Sequence, residues 1–214
     1  TLFAIENGEL SLVSVDGYRL ALRREKLESS DIADAEFIVP GAALSDVERV
    51  CGDSDDVEIS VGAKHISFTV GKTVIVSRRL EGDFLNYKKA IPENFRSKIT
   101  VEREEFMRAV DRVSLIIDEK TKNPIRLTFG DGTIDFLCVT PIGKAEDVCS
   151  CDGACENLEI GFNDRYLMEA LKAAPAAKLD ISLNTGSSPC ILTPAEGEQS
   201  FVYMILPVRL RAGD

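Results

Sequence analysis

Three cysteines, Cys149, Cys151 and Cys155, are the densest set of soft ligands in this 214-residue chain. A zinc or iron–sulfur centre needs four thiolate or imidazole donors, usually in paired short spacings. The run offers Cys-x-Cys-x3-Cys, and a fourth donor would have to come from distant Cys138, Cys190, Cys51 or His65. The competing reading is small side chains in a surface loop, so no metal and no cofactor is expected; a cysteine-cluster metal-binding or redox protein is the alternative function. His65 is the single histidine, between Gly62 and Phe68 where a strand begins. Ser-His-Asp or Cys-His catalysis would have to use it, yet no nucleophile nearby sits on a sharp Gly-x-Ser-x-Gly turn. It reads as a surface residue at a hairpin end. No Walker loop, Gly-x-Gly-x-x-Gly or His-Glu-x-x-His occurs, and no catalytic residue is assigned.

The elements that would position any site must come from a chain that is 44% hydrophobic and 29% charged, enough for one large domain or two of about 100 residues. Against 25 Lys and Arg stand 36 Asp and Glu, a net charge of −11. That balance argues against tight, salt-driven groove binding of DNA but leaves room for a locally basic face. The longest apolar runs, such as Phe201 to Leu206, fall far short of the roughly 20 residues that span a bilayer. No membrane segment and no export leader are expected, and six unevenly placed cysteines suit a reducing cytoplasm.

Short alternating segments predict strands over Leu2 to Ile5, Leu10 to Val15, Tyr18 to Leu22, Val57 to Val61, Ile66 to Val70 and Thr73 to Leu80, with turns at Asn7-Gly8 and Asp16-Gly17. Helical spacing covers Ala42 to Cys51, Arg103 to Ile117 and Asp164 to Ala173. The class is α+β with mostly antiparallel sheet. The chain also repeats. Phe37-Ile38-Val39-Pro40, a helix, Val57 to Val61 and a strand pair are echoed by Leu158-Glu159-Ile160-Gly161, a helix, Leu179 to Leu183 and a strand pair, with 122 residues from Ile38 to Ile160. A second match sets Leu2 to Ile5 and Asn7-Gly8 against Ile125 to Leu127 and a turn at Gly130-Asp131-Gly132. Two copies of one domain are expected in tandem. The second has a helix before its first hairpin, the first has nothing before Leu2, and Thr1 stands where an initiator methionine would. The sequence is therefore expected to open inside a domain.

Four blocks in order carry a family resemblance. Val15-Asp16-Gly17-Tyr18-Arg19-Leu20-Ala21 resembles the Asp-Gly-His-Arg-Leu-Ala signature of bacterial DNA polymerase III beta subunits, the replicative sliding clamps. Arg79 to Tyr87, closed by Ile91-Pro92, looks like the family linker. Gly161-Phe162-Asn163-x-x-Tyr166-Leu167 is similar to the entry of its last helix, and Met204-Ile205-Leu206-Pro207-Val208-Arg209-Leu210 to its C-terminal end. The resemblance implies tandem clamp domains with antiparallel sheets outside and helices lining the inner face: residues 1–91 as most of domain II and 92–214 as domain III, with the first domain and the opening of the second absent. It implies a non-catalytic processivity factor in the cytoplasm, associated with the nucleoid. Such a factor encircles double-stranded DNA without sequence specificity and is a homodimer when full length.

On the helix from Arg103, about 100° per residue puts Phe106, Val110, Val113 and Ile117 on one stripe and Arg108 and Arg112 opposite, with Glu104 and Asp111. On the last helix Arg165 and Lys172 fall together, with Glu169 near them. Spacing alone allows a solvated face with i,i+4 pairs equally well; the resemblance selects a DNA-facing lining. Leu115 and Ile116 project at about 120° and 220°, away from the stripe. Fraying at the helix end would explain them, or burial by a neighbouring subunit, as the resemblance implies. It further implies a groove between the second and third domains for short apolar peptides of polymerase and clamp-loader subunits and of repair proteins. Its walls would be Val15, Gly17, Tyr18, Arg19, Leu20, Leu85, Lys89, Ala90, Asn163, Tyr166, Ser187, Pro189, Met204, Ile205, Leu206, Pro207, Val208 and Arg209. Leu85 stands at the family's usual proline, Val15 at its threonine and Tyr18 where histidine is frequent.

Overall fold

The structure, a computed structural model, describes residues 1–28, 32–52, 56–118 and 123–210. Two compact units divide the chain: Thr1–Val15 with Leu22–Lys88, and Asp16–Ala21 with Lys89–Asp214.

The first unit opens with β1 (Leu2–Glu6) and β2 (Glu9–Val15), an antiparallel hairpin with Glu6 opposite Glu9. Asn7 and Gly8 between them take φ of 51° and 77°, the two positive-φ residues of a primed turn whose twist matches the strands. Strand β3 (Arg19–Lys26) follows, and β4 (Ala35–Ile38) pairs with the other side of β1. There Phe3 lies opposite Phe37 and the rings stack, centroids 5.2 Å apart. Helix α1 (Gly41–Val50) buries Ala43 and packs on a separate antiparallel sheet of β5 (Glu58–Val61), β6 (His65–Val70) and β7 (Thr73–Arg78). Strand β6 alternates: Ile66, Phe68 and Val70 are buried, and the residues between them less so. Phe3, Phe37, Val39, Ala43, Ile66 and Phe68 make the core. His65 begins β6 and is exposed, opposite Arg78.

Between α2 (Tyr87–Ala90) and the long helix lies a strand that the sequence pattern did not reveal, β8 (Ser97–Glu102). The second unit continues with α3 (Arg103–Ser114), β9 (Ile125–Thr140), β10 (Gly143–Phe162), α4 (Asp164–Ala173), β11 (Lys178–Leu183), β12 (Cys190–Pro194) and β13 (Phe201–Ile205). Its strands run in the order β13-β12-β11-β8-β10-β9, with antiparallel ladders throughout. Helix α3 packs on β9, β10 and α4, and Phe106 meets Phe136 edge to face at 5.2 Å. The class is α+β with antiparallel sheets, as the spacing predicts.

Three expectations need correction. Gly130-Asp131-Gly132 is not a hairpin turn: β9 runs through it, and the turn falls at Pro141-Ile142. Inward positions change parity across those glycines, from Ile125, Leu127 and Phe129 to Ile134, Phe136 and Cys138. The run is a bulge, opposed by register shifts on β10. Cys149, Cys151 and Cys155 are not in a surface loop; all three lie on β10 within the core, 3%, 9% and 8% exposed. Helix α3 stops at Ser114 rather than running to Ile117. Its last turns tighten to i→i+3 bonds from Leu115 and Ile117, while the Ser114 hydroxyl bonds the Val110 carbonyl at 2.6 Å. The helical projection therefore fails beyond Ser114: Leu115 is 79% exposed, but Ile116 packs against the core. Strand β13 is buried along its whole length, Phe201 to Ile205.

Candidate functional site

The most connected polar cluster of the second unit gathers around a short turn. Asp16 accepts hydrogen bonds on Oδ1 from the Tyr18 and Arg19 N–H groups, both 3.1 Å, an Asx-type turn that the Asp-Gly pair already signals. Its Oδ2 accepts from Arg19 Nε at 2.7 Å. The guanidinium continues to Glu169 on α4, with Nη1 2.5 Å from Oε2, and lies over the Tyr166 ring, 4.5 Å from its centroid. Tyr18 stacks on the same ring at 5.9 Å, yet remains 61% exposed. The Tyr18 carbonyl accepts from the Leu206 N–H at 2.8 Å, and Val208 N–H bonds the Gly161 carbonyl at 2.8 Å. Asn163 caps α4 by accepting from the Tyr166 N–H at 3.1 Å, which fixes where Tyr166 leaves the helix.

Electrostatics hold this cluster charged. Burial alone would raise the Asp16 carboxyl, but hydrogen bonds from the Arg19 side chain and the Tyr18 N–H outweigh it and keep it below the usual range. Glu169 is held low by Arg165 first and then Arg19. A guanidinium neutralised by two carboxylates and laid on an aromatic face is rigid and adds little net charge to the surface.

Of the eighteen residues expected to wall a peptide groove, Val15 and Leu85 belong to the first unit, exposed at 38% and 56%, and the rest to the second. Tyr18, Gly17, Lys89, Ser187, Val208 and Arg209 are exposed; Arg19, Ala90, Asn163, Tyr166, Pro189, Leu206 and Pro207 are half-buried. Leu20, Met204 and Ile205 are at 2%, 8% and 1%, packed inward, so they support the surface from beneath instead of lining it openly.

Each arginine expected on the helix faces has a resident carboxylate: Arg108 with Glu104 at 2.9 Å, Arg165 with Glu169 at 2.7 Å, and Arg112 with Asp147 on β10. Asp147 is held low chiefly by Arg112. Two of the pairs are i,i+4 and legible in the sequence. Asp147 and the Arg19–Glu169 contact, separated by 35 and 150 residues, are not. Lys172 is exposed and has no ion-pair partner among the described residues. No group of three or more His, Cys, Asp or Glu there is arranged to hold a metal. Burial pushes the Cys149 thiol up to about 12, with Glu105 adding to it, the opposite of what a metal ligand or redox nucleophile requires.

Comparison with known proteins gives the family of both units. Residues 1–86 match the family described as DNA polymerase III beta subunit, central domain, and residues 88–209 the same family's C-terminal domain. A beta sliding clamp of Staphylococcus aureus is 34% identical over 209 residues, 96% of this chain and 55% of that protein. A DNA polymerase sliding clamp from Bacillus subtilis superposes with a TM-score of 0.92 at 28% identity, covering 98% of this chain and 56% of that one. A sliding clamp from Pseudomonas aeruginosa, solved bound to griselimycin, gives 0.88 at 26%, covering 98% and 57%. The chain spans about half the length of the curated relatives it matches.

Proposed function

The chain belongs to the DNA polymerase III beta subunit family, and on that premise we propose that it supplies domains II and III of a replicative sliding clamp, divided at Ile91 and Pro92. The role is non-catalytic: the full-length subunit closes as a homodimeric ring around double-stranded DNA, in the cytoplasm at the nucleoid, and gives the polymerase processivity. The observation that carries this reading is the ordered match of two domains of one family across residues 1–86 and 88–209.

Arg108, Arg112, Arg165 and Lys172 face the DNA in this proposal. The three arginines, already paired with carboxylates, offer a phosphate an exchange of partners and not a deep well, which suits a body that must slide. Loading of the full-length subunit onto nicked circular DNA tests it. Retention on the circle with escape after linearisation is expected, and retention on the linear product would refute encirclement.

The docking part of the reading places short apolar peptides from polymerase and clamp-loader subunits on the surface around Tyr18, Tyr166 and Leu206 to Arg209. Exposed and half-buried aromatic and aliphatic side chains on a fixed backbone are what an extended peptide with two or three anchors needs. A peptide of Gln-x-x-Leu-Phe type is expected to bind with Kd on the order of 1–100 μM, since a few anchors must offset the ordering of a flexible chain. Tyr18→Ala, at an exposed position, should weaken it about tenfold without unfolding the protein. Absence of saturable binding, or unchanged affinity in Tyr18→Ala, would overturn the assignment. Leu20→Asp is no test, because it would bury a charge in the core.

A further inference from the structure

Glu169 is the only carboxylate in the second unit's described ion pairs that serves two arginines at once, and those arginines belong to the two surfaces just proposed. Its Oε2 takes Arg19, whose guanidinium lies on Tyr166; its Oε1 takes Arg165, on the DNA-facing side of α4. The side chain of Arg165 is 75% exposed against 30% for Arg19, so Arg165 is the partner that a phosphate from solution can reach and remove. We propose that Glu169 and Arg19 are positioning residues that couple Arg165 to the aromatic docking surface at Tyr166 and Tyr18. The inference rests on the reading of those two surfaces given above.

The coupling follows from division of one charge. While both arginines are seated, the carboxylate's charge is shared between two guanidiniums. When Arg165 turns to a DNA phosphate, Glu169 serves Arg19 alone, and the remaining charge-assisted pair tightens. Arg19 is also held by Asp16, so it cannot follow Glu169 freely; tightening fixes its plane on Tyr166 and with it the Tyr18 stack. The surface is then better preorganised for a peptide on DNA than off it, and by linkage a docked peptide favours the phosphate-bound state of Arg165 by the same factor.

The test reads Tyr166 directly. In the free protein, Arg165→Ala imitates the phosphate-engaged state and should shift the Tyr166 ring resonances, whereas Lys144→Ala, which removes another exposed pair, with Glu146, should not. With Glu169→Gln as the reference, adding Arg165→Ala should cause no further shift, and Arg165→Lys should keep the wild-type position. A Gln-x-x-Leu-Phe peptide should bind Arg165→Ala about three- to tenfold tighter than wild type. A 20-base-pair duplex should move the wild-type ring in the same direction as Arg165→Ala and leave Glu169→Gln unmoved. Ring resonances indifferent to Arg165→Ala, or equal peptide affinity in that variant and wild type, overturn the coupling. Should the peptide bind neither protein, the docking reading fails while the ring resonances still decide the coupling.

Discussion

Thr100 and Asp180 face each other across the β8–β11 ladder, and the Thr100 hydroxyl donates to Asp180 Oδ1 at 2.6 Å. Lys98 reaches the other oxygen at 2.6 Å, from a position 59% exposed, while the carboxylate side chain is only 7% exposed. A buried carboxylate stripped of one donor keeps its desolvation cost. Thr100→Val should therefore lower unfolding stability by about 1–3 kcal/mol, measured by urea denaturation. An unchanged midpoint would show that Lys98 alone satisfies the carboxylate.

Gly186 approaches Glu159 so closely that a Cβ there would sit 2.6 Å from the Glu159 carbonyl oxygen. Backbone must move to admit it. Gly186→Ala is expected to cost about 1–3 kcal/mol, as overpacking does, and to lower the thermal midpoint. The neighbouring Ser187→Ala, at an exposed position, should leave it nearly unchanged.

Five of the six thiols are buried and Cys51 is not. Burial pushes Cys149 and Cys190 up to about 12, so neither supplies thiolate near neutrality. Titration of the native protein with an aromatic disulfide at pH 8 should modify one thiol quickly, lost in Cys51→Ser, and all six only after denaturation. Two or more fast thiols would contradict the burial of the other five.

Glu169, Asp147 and Asp16 all have carboxyls held below their ordinary values by arginine hydrogen bonds. A folded pKa lower than the unfolded one means stability that is fully present above the unfolded value and lost as pH falls through the folded one. The thermal midpoint should be flat from about pH 5 to 8 and fall below about pH 4. Glu169 and Asp16 are more than 40% exposed, so each effect is small and weakens with salt. Glu169→Gln should flatten the acid limb, and an acid limb identical to wild type would remove Glu169 from it.

Leu115 and Ile116 are expected to behave differently in the full-length subunit, since only Leu115 projects into solvent. Leu115→Ala should weaken dimerisation by about ten- to a hundredfold, the worth of roughly 1.5–3 kcal/mol of apolar burial, with little loss of fold stability. Ile116→Ala should chiefly lower stability. Sedimentation at nanomolar concentration separates the two, and a Leu115→Ala dimer as tight as wild type would exclude the contact.

The elements legible in the sequence were those whose pattern is local. Asp164 to Ala173 follows the helical spacing end to end behind its Asn163 cap, and the Asn7-Gly8 hairpin follows from two residues that tolerate positive φ. The shared order of strand, helix and three strands, β4 to β7 and β10 to β13, was legible because the pattern after Ile38 recurs after Ile160. What was missed depends on distant partners. Gly130-Asp131-Gly132 has the composition of a turn, and only the opposing strand makes it a bulge. The end of α3 is set by the Ser114 hydroxyl competing for a backbone carbonyl, which apolar periodicity does not register. Cys149, Cys151 and Cys155 sit among acidic residues and read as a loop, although the core takes their thiols as small apolar groups. Of the polar cluster around Arg19, the Asp16 turn and the Arg165–Glu169 pair could be read directly, but the bond from Arg19 to Glu169 spans 150 residues and has no local signal.

The second unit is assembled from two separate stretches, and six residues, Asp16 to Ala21, come from the middle of the other unit's sequence. Covalent order and spatial membership therefore disagree. A fragment cut at the junction near Lys89 would begin with every strand from β8 onward yet lack the segment that satisfies the Leu206 N–H, covers Tyr166 and neutralises half of Glu169. Excision at a chain boundary would remove a structural part of the second unit, and residues 89–214 alone lack six residues of that unit. Transplanting Asp16 to Ala21 alongside residues 89–210 is the smallest exchange that carries the whole polar cluster with it.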